Sequence, residues 1–589
     1  MKTEWNLGLL YKNDKDPQIE KDIIVLEQAC TAFEKKYKNK DFTATAQSLF
    51  SALKDYQVLS DKIIGKSWAY FALKSDLDSA NSSVSAAATR IEQRMSLATN
   101  KLTFFSLVIG KVSSSKQKIF LEDPILEPFR YKLEKLFKRA KYMLTEQEEQ
   151  LADLLSQPAF GMWVDAQDRI LTQKMVKHKG EELPLPKALS IISDLPKKER
   201  HVLSDAVNAV LEAQSSVAEA EINAIYNYKK IMDERRGYKK PYSATVLGYE
   251  NEEKEVEALI AMVTKNFTLS QRFYSLHAKL LGEKKIIMAD RAVKIGTIKK
   301  KFDFDSAVSL VKSAFEQVDA SYAGLLDTYV EKGQIDVFPK KGKRGGAYCW
   351  GYGTLPTFVL LNHTNDIKSV ETLAHEMGHA IHSESVKPLP PQYRGYSTAT
   401  AEVASTFFEQ LVTDQLEQTL SDEEKVILLH NKILGDISTI FRQVACFNFE
   451  LDLHTRIRAE GQVNGGDIAE LLQKHLQSYT GKAMNVTKND GYFYVNWSHI
   501  RRFFYVYSYA YGQLVSRALY EKWKADPSYA KKIEQFLKAG RSMSPKDIFK
   551  SIGINTNEAF FEAGLKGIEA DIDKLEKLSK NWLKKQKKK

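Results

Sequence analysis

The stretch TLAHEMGHAIHS, residues 372–383, sets three histidines and one glutamate among small and apolar residues. On a helix, residues four apart stand one above the other, so His375 and His379 aim their imidazoles at a common point while Glu376 leans over its edge. Zn²⁺ accepts imidazole nitrogen, and a catalytic zinc keeps one of its four positions for water, which leaves this pair one protein ligand short. The chemistry on offer is metal-assisted hydrolysis with Glu376 as general base. A helix that binds no metal would leave the same histidines solvated or hydrogen-bonded, so the choice rests on the elements around them.

Upstream, TFVLLNHTND reads as a short apolar strand over 358–361, with Asn365 or Asp366 placed to cap a helix starting near Lys368. Val370, Leu373, Ala374, Met377, Ala380 and Ile381 surround the polar cluster, so the helix is buried on most sides, where unpaired imidazoles and a carboxylate are costly. Downstream, Pro388, Pro390 and Pro391 stop the helix, and a second one begins near Ser397 or Thr398. Glu402 falls early in this second helix, far enough from His379 for the chain to turn back, and is the expected third ligand. Glu409, about two turns on, shares its face; it is either a carboxylate that fixes a ligating histidine's tautomer or a solvated surface group. His382 would diverge along the helix axis from the other two histidines and reads as a neighbour rather than a ligand.

The run KRGGAYCWGYGTLPTFVLLNHTNDIKSVETLAHEMGHAIHS, then YRGYSTATAEVASTFFEQ, then WSHIRRFFYVYSYAYGQL at 497–514 resemble, in order, oligoendopeptidase F and its relatives in the thimet oligopeptidase family. The resemblance covers roughly positions 200–570. It implies a mainly α, two-lobed helical zinc metallopeptidase of zincin type, with a deep substrate channel between its lobes and a small β-sheet next to the zinc helix. It implies one Zn²⁺ per chain on His375, His379 and Glu402, and Glu376 as the base toward the attacking water. His499 matches a histidine that, with tyrosines of the same segment, hydrogen-bonds the developing oxyanion. Tyr505 and Tyr509, four apart on one face, are the first choice for these; Tyr507 and Tyr511 form the competing pair, and aromatic rings at helical spacing are commonly packing residues.

The glycines of GKRGGAYCWGYG, among them Gly345, Gly346, Gly351 and Gly353, allow close backbone approach, and the strand after them could receive an extended substrate by strand addition. Gly345, Gly346 and Tyr348 are therefore read as substrate-binding. Neither G-x-G-x-x-G nor a lysine-serine ending occurs, which excludes a phosphate loop.

At 589 residues and 43% apolar content the chain can bury a large core. The sequence divides into a helical lobe over 1–195, a catalytic domain over 196–573 and a lysine-rich tail over 574–589. HVLSDAVNAVLEAQSSVAEAEINAIYNYKKIMDERR reads as one long helix. Eight lysines against one glutamate give the tail +7 of the chain's +11, leaving an unremarkable +4, so a solvated terminus is favoured and no specific nucleic-acid partner is expected. Three cysteines without metal-like spacing point to a reducing compartment, and the lack of a leader or an apolar run of about 18 residues points to the cytoplasm and no membrane span. The expected function is cleavage of internal bonds in short unfolded peptides. The alternatives are a dipeptide-releasing carboxypeptidase with the same site and a non-catalytic helical peptide binder. Oligomeric state is not legible.

Overall fold

The computed structural model describes residues 1–62, 65–78 and 81–586. It is almost wholly helical, with three sheets of two or three short strands. The expected mainly α class is what the chain adopts. Two compact units each draw on three stretches of chain: residues 1–146, 300–416 and 519–553 form the first, and 147–299, 417–518 and 554–589 the second.

In the first unit the N-terminal helices pack around Cys30, Leu49, Ala52, Leu53, Ile109, Phe129 and Leu133, all essentially inaccessible. A three-stranded sheet places Phe358–Leu360 in the middle, parallel to Ile335–Asp336 and antiparallel to Tyr348–Trp350. Its central strand is buried on both faces, which is why it reads as an unbroken apolar run rather than an alternating one. The N-terminal segment anchors to this sheet: Trp5 Nε1 donates to the Val359 carbonyl at 2.8 Å and its backbone N–H to Asp336 Oδ2 at 3.2 Å. The strand that follows the glycines is thus already paired on both sides. Tyr348–Trp350, within the glycine run, is an edge strand whose Cys349 N–H already donates to Glu376, so strand addition at 358–360 is ruled out and at 348–350 would use the remaining main-chain groups.

In the second unit the expected long helix over 201–236 is two, Lys197–Ala213 and Ser215–Arg236, broken at Gln214 (φ −97°, ψ 2°). Ser215 and Ser216 follow the break; their hydroxyls compete for backbone hydrogen bonds, and apolar periodicity alone does not register that. The chain ends in a helix, Glu558–Gln586, that takes in most of the lysine-rich tail; residues 587–589 lie outside the described ones. Among the described residues no helix is long and apolar enough to cross a membrane, and Cys30, Cys349 and Cys446 are all free thiols.

Candidate active site

The motif helix, Ile367–Val386, starts one residue before the expected position, capped by Asp366, whose Oδ1 accepts the Ser369 N–H at 2.8 Å. Val370, Leu373, Ala374, Met377, Ala380 and Ile381 are buried to within about 1% of completely, so the helix is locked on its apolar sides and presents its histidines on the remaining one. The strands Tyr348–Trp350 and Phe358–Leu360 pack against it.

The second helix, Thr398–Gln418, crosses the first at backbone contact. Gly378 is the reason: a Cβ there would stand 2.7 Å from Ser405 Cα and 3.2 Å from the Ala404 carbonyl oxygen, closer than atoms tolerate. Such proximity lets a short glutamate side chain reach the histidines. His375, His379 and Glu402 offer donor atoms all within 4.8 Å of one another.

The donor set fits zinc. Two atoms each about 2.0–2.1 Å from a tetrahedral centre stand roughly 3.4 Å apart, and His375 Nε2 lies 3.6 Å from Glu402 Oε2, too far for a direct hydrogen bond. His375 Nδ1 meets Glu409 Oε2 at 2.9 Å, so the Nδ1–H tautomer leaves the Nε2 lone pair toward Glu402. The Glu409 side chain keeps 28% of its surface in solvent but is engaged by His375 and approached by Lys368 Nζ at 3.6 Å. Burial pulls the His375 pKa down, but the Glu409 hydrogen bond and charge outweigh it and the net shift is upward. His379 moves well below the usual imidazole range, through burial and then the neighbouring His375 and His382, which keeps it neutral and able to donate a lone pair.

Glu376 is 7% exposed. Burial, reinforced by Glu402 and Glu409, raises its pKa to about 7, while His375 and a hydrogen bond from the Cys349 backbone N–H pull the other way. A carboxyl poised there can take a proton and return it at neutral pH. His382 lies elsewhere: its ring stacks on Tyr396 at 3.9 Å, its Nδ1 finds no partner among the described residues, and burial lowers its pKa to about 3. Gly345 and Gly346 have open space around them, and Asn362 Nδ2 donates to the Gly346 carbonyl at 2.7 Å. Tyr348 donates its hydroxyl to Asp76 Oδ2 at 2.6 Å.

In the second unit His499, Tyr505 and Tyr509 stand together. The His499 ring lies 5.5 Å from Tyr505 and 6.0 Å from Tyr509, and the two tyrosine hydroxyls are 3.3 Å apart. Burial and then the cations Arg442 and Arg502 lower the His499 pKa to about 4, so it is a neutral imidazole. Burial and the Tyr509 hydrogen bond raise that of Tyr505, so it keeps its proton and can donate it. Tyr507 and Tyr511 face inward, wholly inaccessible, their hydroxyls on Asn251 Oδ1 (3.2 Å) and Glu255 Oε1 (3.1 Å).

Sequence reasoning passed over the residues that hold this second group. Arg501 forks onto Glu221 (2.8 and 2.6 Å) and onto the carbonyls of Tyr494 and Trp497, pinning the turn that carries His499. Phe503 (φ 45°) and Phe504 (φ 64°) are both left-handed, a costly backbone for two successive non-glycine residues. Glu450 Oε1 accepts the Phe504 N–H at 2.8 Å and Thr245 Oγ1 donates to the Phe503 carbonyl at 2.7 Å. This clamped turn redirects the chain between His499 and Tyr505. Glu450 lies on the buried face of the helix Arg442–Glu460 beside Phe447, Leu453 and His454, and a glutamate among such neighbours was the available signal.

Comparison with known proteins adds to this geometry. The sequence profile described as Peptidase family M3 matches residues 218–566, and that described as Oligopeptidase F matches residues 109–172. Oligopeptidase PepF of Bacillus subtilis is 27% identical over 561 residues, spanning 92% of this chain and 82% of that one. Group B oligopeptidase PepB of Streptococcus agalactiae is 26% identical over 596 residues, spanning 98% and 97%. Among solved structures, a chain from Chlamydophila abortus superposes with a TM-score of 0.82 at 22% identity, covering 98% of each chain. Oligoendopeptidase-F from Enterococcus faecium does so at 0.71 and 19%, covering 96% of this chain and 99% of that one.

Proposed function

The chain belongs to peptidase family M3 and is a metalloendopeptidase; from that premise we propose that it is a zinc enzyme cutting internal bonds of short, unfolded oligopeptides. The observation that carries the zinc assignment is the convergence of His375, His379 and Glu402 from two helices in backbone contact, with Glu376 beside them. Zinc bound there would polarise the scissile carbonyl and acidify the attacking water.

Glu376 takes the proton from that water and passes it to the leaving amine nitrogen. Glu409 holds His375 in its Nδ1–H tautomer. His499, Tyr505 and Tyr509 donate hydrogen bonds to the oxyanion, the neutral imidazole and the protonated phenol each having a hydrogen to give. The edge strand Tyr348–Trp350, preceded by Gly345 and Gly346, pairs through its remaining main-chain groups with an extended substrate, which suits unfolded peptides of varied sequence. Three unpaired cysteines support the cytoplasm as its compartment.

Digesting a mixed peptide library with zinc-loaded and chelator-stripped protein, and mapping the cuts by mass spectrometry, tests the reading. Internal cuts that vanish on chelation and return with zinc are expected. Release of C-terminal dipeptides alone would replace it with an exopeptidase.

A further inference from the structure

A cavity of about 150 Å³ lies within the second unit, its wall containing two arginines, Arg442 and Arg291. Arg442 stacks on Trp497, whose ring is 6.1 Å from that of His499, so the cavity borders the His499 group without including His499 in its wall. Arg442 comes from the helix Arg442–Glu460. Its guanidinium lies over the Trp497 ring at 4.7 Å and near that of Phe493 at 5.8 Å, the usual stacked seat of an arginine. No carboxylate, carbonyl or hydroxyl among the described residues meets it, and its Nε is buried without a partner. Burial, followed by repulsion from Arg291, pulls its pKa to about 10, which still leaves it charged at neutral pH.

A partly buried cation without a counter-charge is costly enough that folded proteins usually pair it. The one carboxylate in the wall, Asp490, is already committed, accepting Thr487 Oγ1 at 2.8 Å, the Thr487 N–H at 2.7 Å and Asn208 Nδ2 at 3.3 Å. The wall therefore carries a net positive charge. Besides Ser193, Ser204 and Asn208 the rest of it is apolar, with Leu189, Val207, Met288 and Leu476 prominent. A space of about 150 Å³ is enough for a group the size of benzene. A planar guanidinium fork is matched by a carboxylate, which it binds through two parallel hydrogen bonds.

We propose that this cavity is a binding site for the carboxylate of an apolar amino-acid residue, with Arg442 gripping the carboxylate, Arg291 adding charge and the apolar wall taking the side chain. Such a carboxylate arrives either as the C-terminus of a peptide or as a free amino acid, and the two differ in the amino group.

The test titrates N-acetyl-leucine, leucine and N-acetyl-leucinamide into the zinc-loaded protein by calorimetry. The carboxylates are expected to bind at least tenfold more tightly than the amide. Tighter binding of N-acetyl-leucine identifies peptide ends as the ligand, and tighter binding of leucine identifies the free amino acid. Arg442→Gln should weaken the carboxylate at least tenfold, and Arg442→Lys, which keeps charge without the fork, should weaken it less. Binding should persist after zinc is chelated. Equal affinity for acid and amide in the unmutated protein would overturn the proposal whether or not the variants fold, and so would binding that disappears with zinc.

Discussion

Gly378 lies so close to Ser405 that a single methyl on its α-carbon would overlap the Ser405 Cα, 2.7 Å away. That contact sets the separation between the helix bearing His375 and His379 and the helix bearing Glu402. Gly378→Ala should therefore push the helices apart and loosen the metal before it unfolds the protein. Zinc content after dialysis should fall severalfold at a melting temperature lowered by only a few degrees, an overpacking cost of about 1–3 kcal/mol. Unchanged zinc content would mean that Ser405 yields without disturbing Glu402.

Glu376→Gln keeps shape and removes the proton acceptor. Zinc should be retained while peptide hydrolysis falls to below a tenth of the unmutated rate. Glu402→Ala, by contrast, should lower zinc content itself; full occupancy in that variant would move the third ligand elsewhere.

Glu409→Ala leaves His375 Nδ1 without its 2.9 Å partner. A loss of about 10- to 100-fold in metal affinity is expected, the usual effect of removing such a support. A competition titration with a chromogenic chelator reads it directly, and an unchanged affinity would return Glu409 to the surface.

Removing a donor to the oxyanion acts on the transition state. His499→Ala and Tyr505→Phe should each lower kcat by about two orders of magnitude, or about 3 kcal/mol, with KM little changed. A pure KM effect would make them ground-state binding residues. Tyr507→Phe should leave kcat alone, since its hydroxyl is spent on Asn251.

Acid should destabilise the second unit through its buried histidines. His277 Nδ1 and His430 Nε2 share a 2.9 Å hydrogen bond, and burial, then the neighbouring His277, lowers the His430 pKa to about 3. The unfolded chain takes up a proton below about pH 6.5 that the folded one refuses. This contribution is therefore fully present above pH 6.5 and is lost as pH falls toward 3. The fall in melting temperature between pH 7.5 and pH 5 should be smaller in His430→Gln than in the unmutated protein, and an equal fall would exonerate the pair.

The parts of this architecture that sequence gives away are the local ones. Asp366 and the 3.6-residue rhythm after it mark the motif helix, and four-residue spacing puts His375 over His379. Tyr505 stands by Tyr509 from the turn that precedes the helix Tyr507–Ala525, which spacing does not foresee. What separates Tyr505 and Tyr509 from Tyr507 and Tyr511 is the presence of Asn251 and Glu255 opposite the second pair, about 250 residues away in the chain. The pairing of Phe358–Leu360 on both edges is equally non-local, and it overturned the expectation of a free strand there. Nothing in the spacing of WSHIRRFFYVY announces a left-handed turn, because phenylalanine is among the residues least suited to one.

That turn constrains how the chain can change. The Phe504 ring is completely enclosed, packed against Phe447 at 5.1 Å and His454 at 5.0 Å, and burying such a ring returns about 1.5–3 kcal/mol against roughly 1–2 kcal/mol for its left-handed backbone. Glycine would relax the backbone and empty the hole, while a β-branched residue would do worse on both counts. Position 504 thus has no neutral neighbour one substitution away among the small or branched residues. It is isolated in sequence space by two opposing demands that each taken alone would be easy to meet.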